Sequence, residues 1–252
     1  MRKRDKVIGE KYITIEGYEA TIIDYFNNKN CTVRLNDVRG TVLENKQYVN
    51  IKKGNVKNPF HPSVCGVGYN DTTYSIVKNN KQVYNIWRAM MQRCYSKKTQ
   101  QLQPTYKGCS VAEEWHSFKN YLKWYRENYN PKIMEGWHLD KDILVKGNNI
   151  YSSTTCTFVP REINSLMVKN TLTKGIYPIG VYYNQTVKKF IAKVHTVDKR
   201  VHLGVFNTPE EAFQVYKVAK ENHIKEVADK WKDKIDPRVY EAMCNYKIEI
   251  TD

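Results

Sequence analysis

Over the first 60 residues apolar and polar positions alternate in short runs. "ATIIDY" (20–25) and "CTVRL" (31–35) are the clearest, and Asn and Gly punctuate the gaps between runs. Period-two alternation with turn residues between predicts a small antiparallel sheet or SH3-like barrel. The stretch "GNVKNPFHPSVCGVGYN" then carries prolines and glycines without periodicity, and a linker is expected over 61–80. Next the period lengthens. In "VYNIWRAMMQRCY", Val83, Ile86, Trp87, Met90 and Met91 recur at spacings of three and four, which predicts a helix with one buried face. "VAEEWHSFKNYLKWYREN" repeats the pattern with Val111, Trp115, Phe118, Leu122 and Trp124 or Tyr125. After it come two β-like runs, "WHLDKDIL" and "CTFVP", bridged by the turn-rich "KGNNIYSSTT", and a short helix "REINSLMV".

The last patterned segment reads as three strands, "GIYPIGVYYN", "KKFIAKVHTV" and "KRVHLGVF", followed by a helix from "NTPEEAFQVYKVAKENHIKEVADKW". Thr208 suits the N-cap, Pro209 the first helical position, and Glu210 and Glu211 complement the helix dipole. Ala212, Val215, Tyr216, Ala219 and His223 are expected on its inner face. The fold class is therefore α+β in a small multi-domain chain. A β module at 1–60 and the linker at 61–80 precede a hairpin-and-helix domain at 81–170. A three-stranded antiparallel sheet with one helix follows at 173–235, then a tail at 236–252 to which no function is assigned.

Composition narrows the function. The 252 residues carry a net charge of +15, with 41% hydrophobic and 27% charged residues, which fits a folded chain with a polyanionic partner. No run approaches the roughly 18 apolar residues of a membrane span. The basic start "MRKRDKVIGEKY" has no apolar stretch behind it, as an export signal would. Six cysteines never form CxxC, so reduced thiols are expected rather than a disulfide framework. The charge is also unevenly placed. Residues 174–202 carry six Lys/Arg against one Asp, while 203–235 carry six against six. The positive excess lies on the strands, which makes the sheet the expected binding face.

Two stretches resemble known families. Gly180-Val181, Lys189-Phe190-Ile191-Ala192, Leu203-Gly204-Val205-Phe206-Asn207-Thr208, Glu210-Glu211-Ala212, Tyr216 and Ala219 together resemble the DNA-binding domain of plant ethylene-response-type (APETALA-type) transcription factors. That domain also occurs in phage endonucleases. The resemblance implies a three-stranded sheet lying in the major groove of double-stranded DNA. Tyr183, Lys188, Lys189, Lys193, His195, Lys199 and Arg200 are then the candidate DNA-facing set, lysines for phosphates and Arg200 for guanine. This chain has mostly lysine and tyrosine where the plant domains rely on arginines and tryptophans.

Residues 84–164 resemble a phage-type HNH endonuclease of ββα-metal architecture. Three blocks carry the likeness, in order and spacing: Tyr84, Trp87, Met90 or Met91, Arg93, Cys94 and Tyr95; "YKGCSVAEEWHSF" (106–118); and "LDKDILVKGNNIYSSTTCTFVPREIN" (139–164). The resemblance implies one divalent metal, Mg2+ or Mn2+, held by Asp140 and Asn164, with Asp142 as a second nearby carboxylate. Lys141 stands at the general-base position. A lysine ordinarily titrates near 10, too high to take a proton from water at neutral pH, and two aspartates beside it favour its charged form. His138, two residues before Asp140 on the same strand face, is the substitute base. Thr155 stands where the family carries Asn. A structural zinc at Cys94, Cys109, Cys156 and His116 is the less favoured reading, since the cysteine gaps of 15 and 47 residues are unlike zinc-ligand pairs. Buried thiols are expected instead.

The expected activity is a homing-type endonuclease that nicks or cuts duplex DNA in the cytoplasm of a bacterial host. A catalytically degenerate DNA-binding protein on the same scaffold is the alternative, and a protein directed at a host protein partner is a third. No membrane partner is expected.

Overall fold

A computed structural model describes residues 3–167, 176–196 and 199–251. Contacts divide the chain into two compact units, one of residues 1–91 with 116–119 and one of 92–115 with 120–252. Both helices and strands are abundant, so the α+β class holds.

In the first unit the alternation at 20–35 becomes a sheet. Strands β1 (Lys11–Ile13), β2 (Glu19–Asn27), β3 (Asn30–Leu35) and β4 (Val42–Lys46) form an antiparallel meander in that order. On β3, Cys31, Val33 and Leu35 are buried, while Thr32 and Arg34 between them are more open. Val7 of helix α1 (Lys3–Val7) and Ile51 of helix α2 (Tyr48–Lys52) close this core with Ile22, Tyr25 and Val56. Residues 61–80, expected as a linker, belong to the unit and carry structure of their own. Val64 and Gly68 form a bridge, and helix α3 (Tyr74–Asn79) is capped by the Thr73 hydroxyl. Helix α4 (Lys81–Tyr95) buries Val83, Trp87, Met90 and Met91, and leaves Ile86 half-buried.

The second unit contains helix α5 (Lys97–Leu102), strand β5 (Ser110–Val111) and most of helix α6 (Phe118–Asn128). Trp115, Tyr121, Trp124, Tyr125 and Phe158 interlock there, with Trp115 and Trp124 centroids 4.6 Å apart. Strand β6 (His138–Asp140) pairs antiparallel with β8 (Thr157–Val159). Between them β7 (Ile150–Tyr151) pairs parallel with β5, and helix α7 (Arg161–Met167) follows. Val168 of the expected short helix, the junction expected at 170–173 and the expected strand start at Gly175 lie outside the described residues.

Strands β9 (Val181–Asn184), β10 (Lys189–His195) and β11 (Arg200–Phe206) form the expected antiparallel sheet in the order β11-β10-β9. Helix α8 (Pro209–Trp231) packs on one side of it. Thr208 caps the helix through a complete capping box with Glu211, a device worth about 1 kcal/mol. Ala212, Phe213, Tyr216, Ile224, Val227 and Ala228 are its buried residues. Val215, expected inside, is 37% exposed, because the buried stripe takes Phe213 and turns away from it. The backbone at Gly180 adopts φ +78°, and a Cβ there would fall 2.1 Å from the ring of Tyr216. Only glycine lets β9 begin this close to α8.

The tail is structured. Asp236 caps helix α9 (Pro237–Cys244), which buries Val239 and Met243. Ile143, Val159 and Ile163 of the hairpin segment share one core with Val181, Ala192 and Val194 of the sheet and with Val239 and Ile248 of the C-terminal stretch. Glu162 of α7 is tied to Lys230 and Trp231 of α8. The hairpin segment and the sheet–helix segment are thus built on common packing. None of the helices in the described residues is long and apolar enough to cross a membrane.

Candidate functional site

Asp140 ends β6, and the chain turns sharply after it. Its Oδ1 accepts from the backbone N–H groups of Asp142 (2.9 Å) and Ile143 (2.8 Å), which fixes the carboxylate at the turn. Burial, and then the charge of Asp142, push the Asp140 carboxyl up to about 6. The loop beyond is stapled by Asn148, whose side-chain amide donates to the carbonyls of Lys141 and Ile150, both at 2.7 Å. Thr155 has a structural role, its hydroxyl donating to the Ile150 carbonyl at 2.9 Å.

A cavity of about 370 Å³ opens beside this turn. Asp140, Lys141, Asp142 and Asn164 all line it, so residues 24 apart in sequence meet where α7 returns past β6. Tyr106, Tyr151 and Tyr246 form aromatic walls, and Lys146 adds a second cation. Lys141 Nζ donates to the Asn148 carbonyl at 3.1 Å and pairs with Asp142 Oδ2 at 3.2 Å. Both contacts hold the side chain in place. His138 is exposed and is not among the residues lining the cavity.

Tyr246 and Lys146 escaped the sequence reading. The Lys146 ammonium donates to the Lys247 carbonyl at 2.6 Å and lies 4.9 Å from the Tyr246 ring centroid. The tail was given no element, although Asp236-Pro237 is a helix-start signal that could have found α9; that the residues beyond it reach a loop 101 positions earlier has no local signal.

Oxygen donors from two carboxylates and one amide suit a hard divalent cation that keeps much of its water shell. Among the described residues no three His, Cys, Asp or Glu side chains cluster as a metal site. Cys94, Cys109 and Cys156 are buried free thiols. Burial raises the Cys109 thiol and pushes Cys156 up to about 12, opposite to what a metal-binding thiolate needs.

The second candidate surface is the sheet. Ala192 and Val194 are buried toward α8, so Lys189, Ile191, Lys193 and His195 point outward. Residues paired directly across strands share a face. Tyr182 and Val205 pair with Ile191, His202 with Lys193, and Arg200 with His195, so all four face outward. Tyr183 does not: it pairs with Phe190, and its ring packs 5.1 Å from that of Phe190 and 6.2 Å from that of Tyr177 on the helix side. The physical reason is register. Asn184 pairs with Lys189 across the hairpin, which turns Tyr182 rather than Tyr183 to the open face. Lys188 is exposed in that turn with φ +49°, and Lys199 is exposed beside Arg200. Arg200 Nε donates to His195 Nε2, which holds the two side chains together on the face. The chain matches no family model, no curated protein and no solved structure.

Proposed function

We propose that this protein is a metal-dependent endonuclease that holds duplex DNA against the outward face of the β9–β11 sheet. Hydrolysis of the phosphodiester would take place at the Asp140 cavity. The observation that carries the reading is the convergence of Asp140, Asp142 and Asn164 on one opening. Asp140 and Asn164 would hold one Mg2+ or Mn2+, with Asp142 beside them. When bound, such an ion neutralises charge that develops on the phosphorus centre and the leaving oxygen. Asp140 is positioned for ligation by two backbone N–H groups, and Lys141 and Lys146 give the cavity two cations to meet a phosphate.

A second reading is favoured by one observation: Lys141 is held by the Asn148 carbonyl and Asp142, and among the described residues no imidazole lines the cavity. On that reading the protein binds DNA without cutting it. Supercoiled plasmid incubated with Mg2+, Mn2+ or chelator separates the two. Metal-dependent nicking by the wild type, lost in Asp140→Ala, supports the endonuclease. Intact plasmid that is still shifted on a gel, with affinity unchanged in chelator, supports the binder.

A further inference from the structure

The outward face of the sheet is not uniformly basic. Pairing across the three strands aligns Tyr182, Ile191 and Val205 in one row, an aromatic ring and two aliphatic side chains, all on the face away from α8. Tyr182 is 49% exposed and Val205 47%, with Ile191 between them. On one side of this row stands Lys189, paired with Asn184. On the other stand Lys193 with His202, then His195 with Arg200. A bulge at Ala192/Lys193 makes this order: Leu203 is the extra residue and packs toward the core, so His202 stays outward. The three strands contain no Asp or Glu.

An exposed apolar row costs free energy in water, and the single-sign charge around it calls for a polyanion rather than a protein surface of mixed charge. Duplex DNA presents one apolar group in its major groove, the C5-methyl of thymine. Dimensions agree. Four residues at about 3.3 Å each separate Lys189 from Lys193 by about 13 Å, against a groove about 12 Å wide. Three adjacent strands carry the apolar row about 10 Å across the sheet. The geometry points to a division of labour: Tyr182, Ile191 and Val205 read thymine methyl groups on the groove floor, while Lys189 on one side and Lys193 and Arg200 on the other take phosphates. The protein thereby favours thymine-containing duplexes. This rests on the proposal that the sheet docks on DNA, and it names the feature of the DNA that is read.

Deoxyuridine removes the methyl and leaves base pairing intact. Random-sequence 30-base-pair duplexes made with thymidine or with deoxyuridine would be titrated against the full chain by fluorescence anisotropy at one salt concentration. About a fourfold loss is expected for each methyl contacted, the fold-change equivalent of about 0.8 kcal/mol. A G·C-only duplex carrying 5-methylcytosine should bind more tightly than its unmethylated form for the same reason. Val205→Thr and Ile191→Ser should weaken the thymidine preference, because each exchanges apolar carbon for a hydroxyl and leaves Tyr182 in place, yet keep the salt dependence of binding, because neither removes a cation. Val205→Thr keeps a β-branched side chain at a half-exposed position and so preserves the fold. Equal affinity for thymidine and deoxyuridine duplexes, with salt-dependent binding intact, would overturn the inference alone. Absence of binding to every duplex would overturn it together with the DNA-docking reading.

Discussion

Replacing Glu162 by Ala tests whether α7 and α8 belong to one cooperative structure. The Glu162 carboxylate accepts from Lys230 Nζ at 2.9 and 2.8 Å and from Trp231 Nε1 at 2.7 Å. The Glu162 side chain is 16% exposed, while that of Lys230 is 61% exposed. The ion pair is therefore screened and contributes about 0–1 kcal/mol. The indole bond to a charged acceptor contributes about 1.5–3 kcal/mol, and its loss leaves a partly buried N–H without a partner. The expected cost is about 2–3 kcal/mol, a fall in Tm of about 5–10 °C for a unit of this size. Glu162→Gln keeps an acceptor for Trp231 and should lose about half as much. Burial works to raise the Glu162 carboxyl, but the hydrogen bonds from Lys230 and Trp231 prevail and hold it below the ordinary range. Its contribution is therefore complete above the unfolded value of about 4.3 and is lost as pH falls through the folded value. Urea midpoints of wild type and Glu162→Ala, separated by a constant gap from pH 8 to pH 5, should draw closer as pH falls below about 4. A midpoint for Glu162→Ala equal to wild type at pH 7 would refute the coupling of the two helices through this contact.

Three further outcomes follow from the geometry. Gly180→Ala should cost at least about 3 kcal/mol by urea unfolding, since it adds left-handed strain to a clash with Tyr216; Gly147→Ala, at φ +81° with nothing within 4 Å, should cost only about 1–2. Asp140→Asn should stabilise the chain. With a folded carboxyl at about 6 against an unfolded value near 4, the ionised form costs stability as pH rises through that window, so in chelator the variant should gain on the order of 2–3 kcal/mol by pH 7 and nothing at pH 3. A gain that does not vary with pH would contradict that account. Alkylation followed by peptide mapping should modify the half-buried Cys65 and Cys244 before the other cysteines, and Cys156 only after unfolding.

Periodicity made the helices and the last sheet legible. Val83, Trp87, Met90 and Met91 are buried as their spacing predicts, and the Thr208-Pro209-Glu210-Glu211 start is where α8 begins. Positions decided by register or by distant chain were not legible. Alternation along β9 fits either Tyr182 or Tyr183 on the open face, and only the hairpin pairing of Asn184 with Lys189 chooses. The second half of the α6 pattern left Trp124 and Tyr125 as alternatives; both are buried, together with the fully buried Tyr121, because the aromatic cluster surrounds more of the helix than one stripe. In the site, Asp140, Lys141, Asp142 and Asn164 were implied by the resemblance of one turn and one helix to ββα-metal endonucleases. Tyr246 came from neither, since nothing local to residue 246 announces a partner at Lys146.

That last wall has a consequence for how the protein is made. Lys146 and the Lys247 carbonyl it holds are 101 residues apart, so the turn bearing Asp140 is synthesised well before Tyr246 exists to face it. At about 5–20 residues per second, a ribosome spends roughly 5–20 s on that interval. During it the nascent chain has both carboxylates, Tyr106 and Tyr151, but not the Tyr246 wall of their cavity. The cavity is completed only after the sheet proposed to hold DNA has been made.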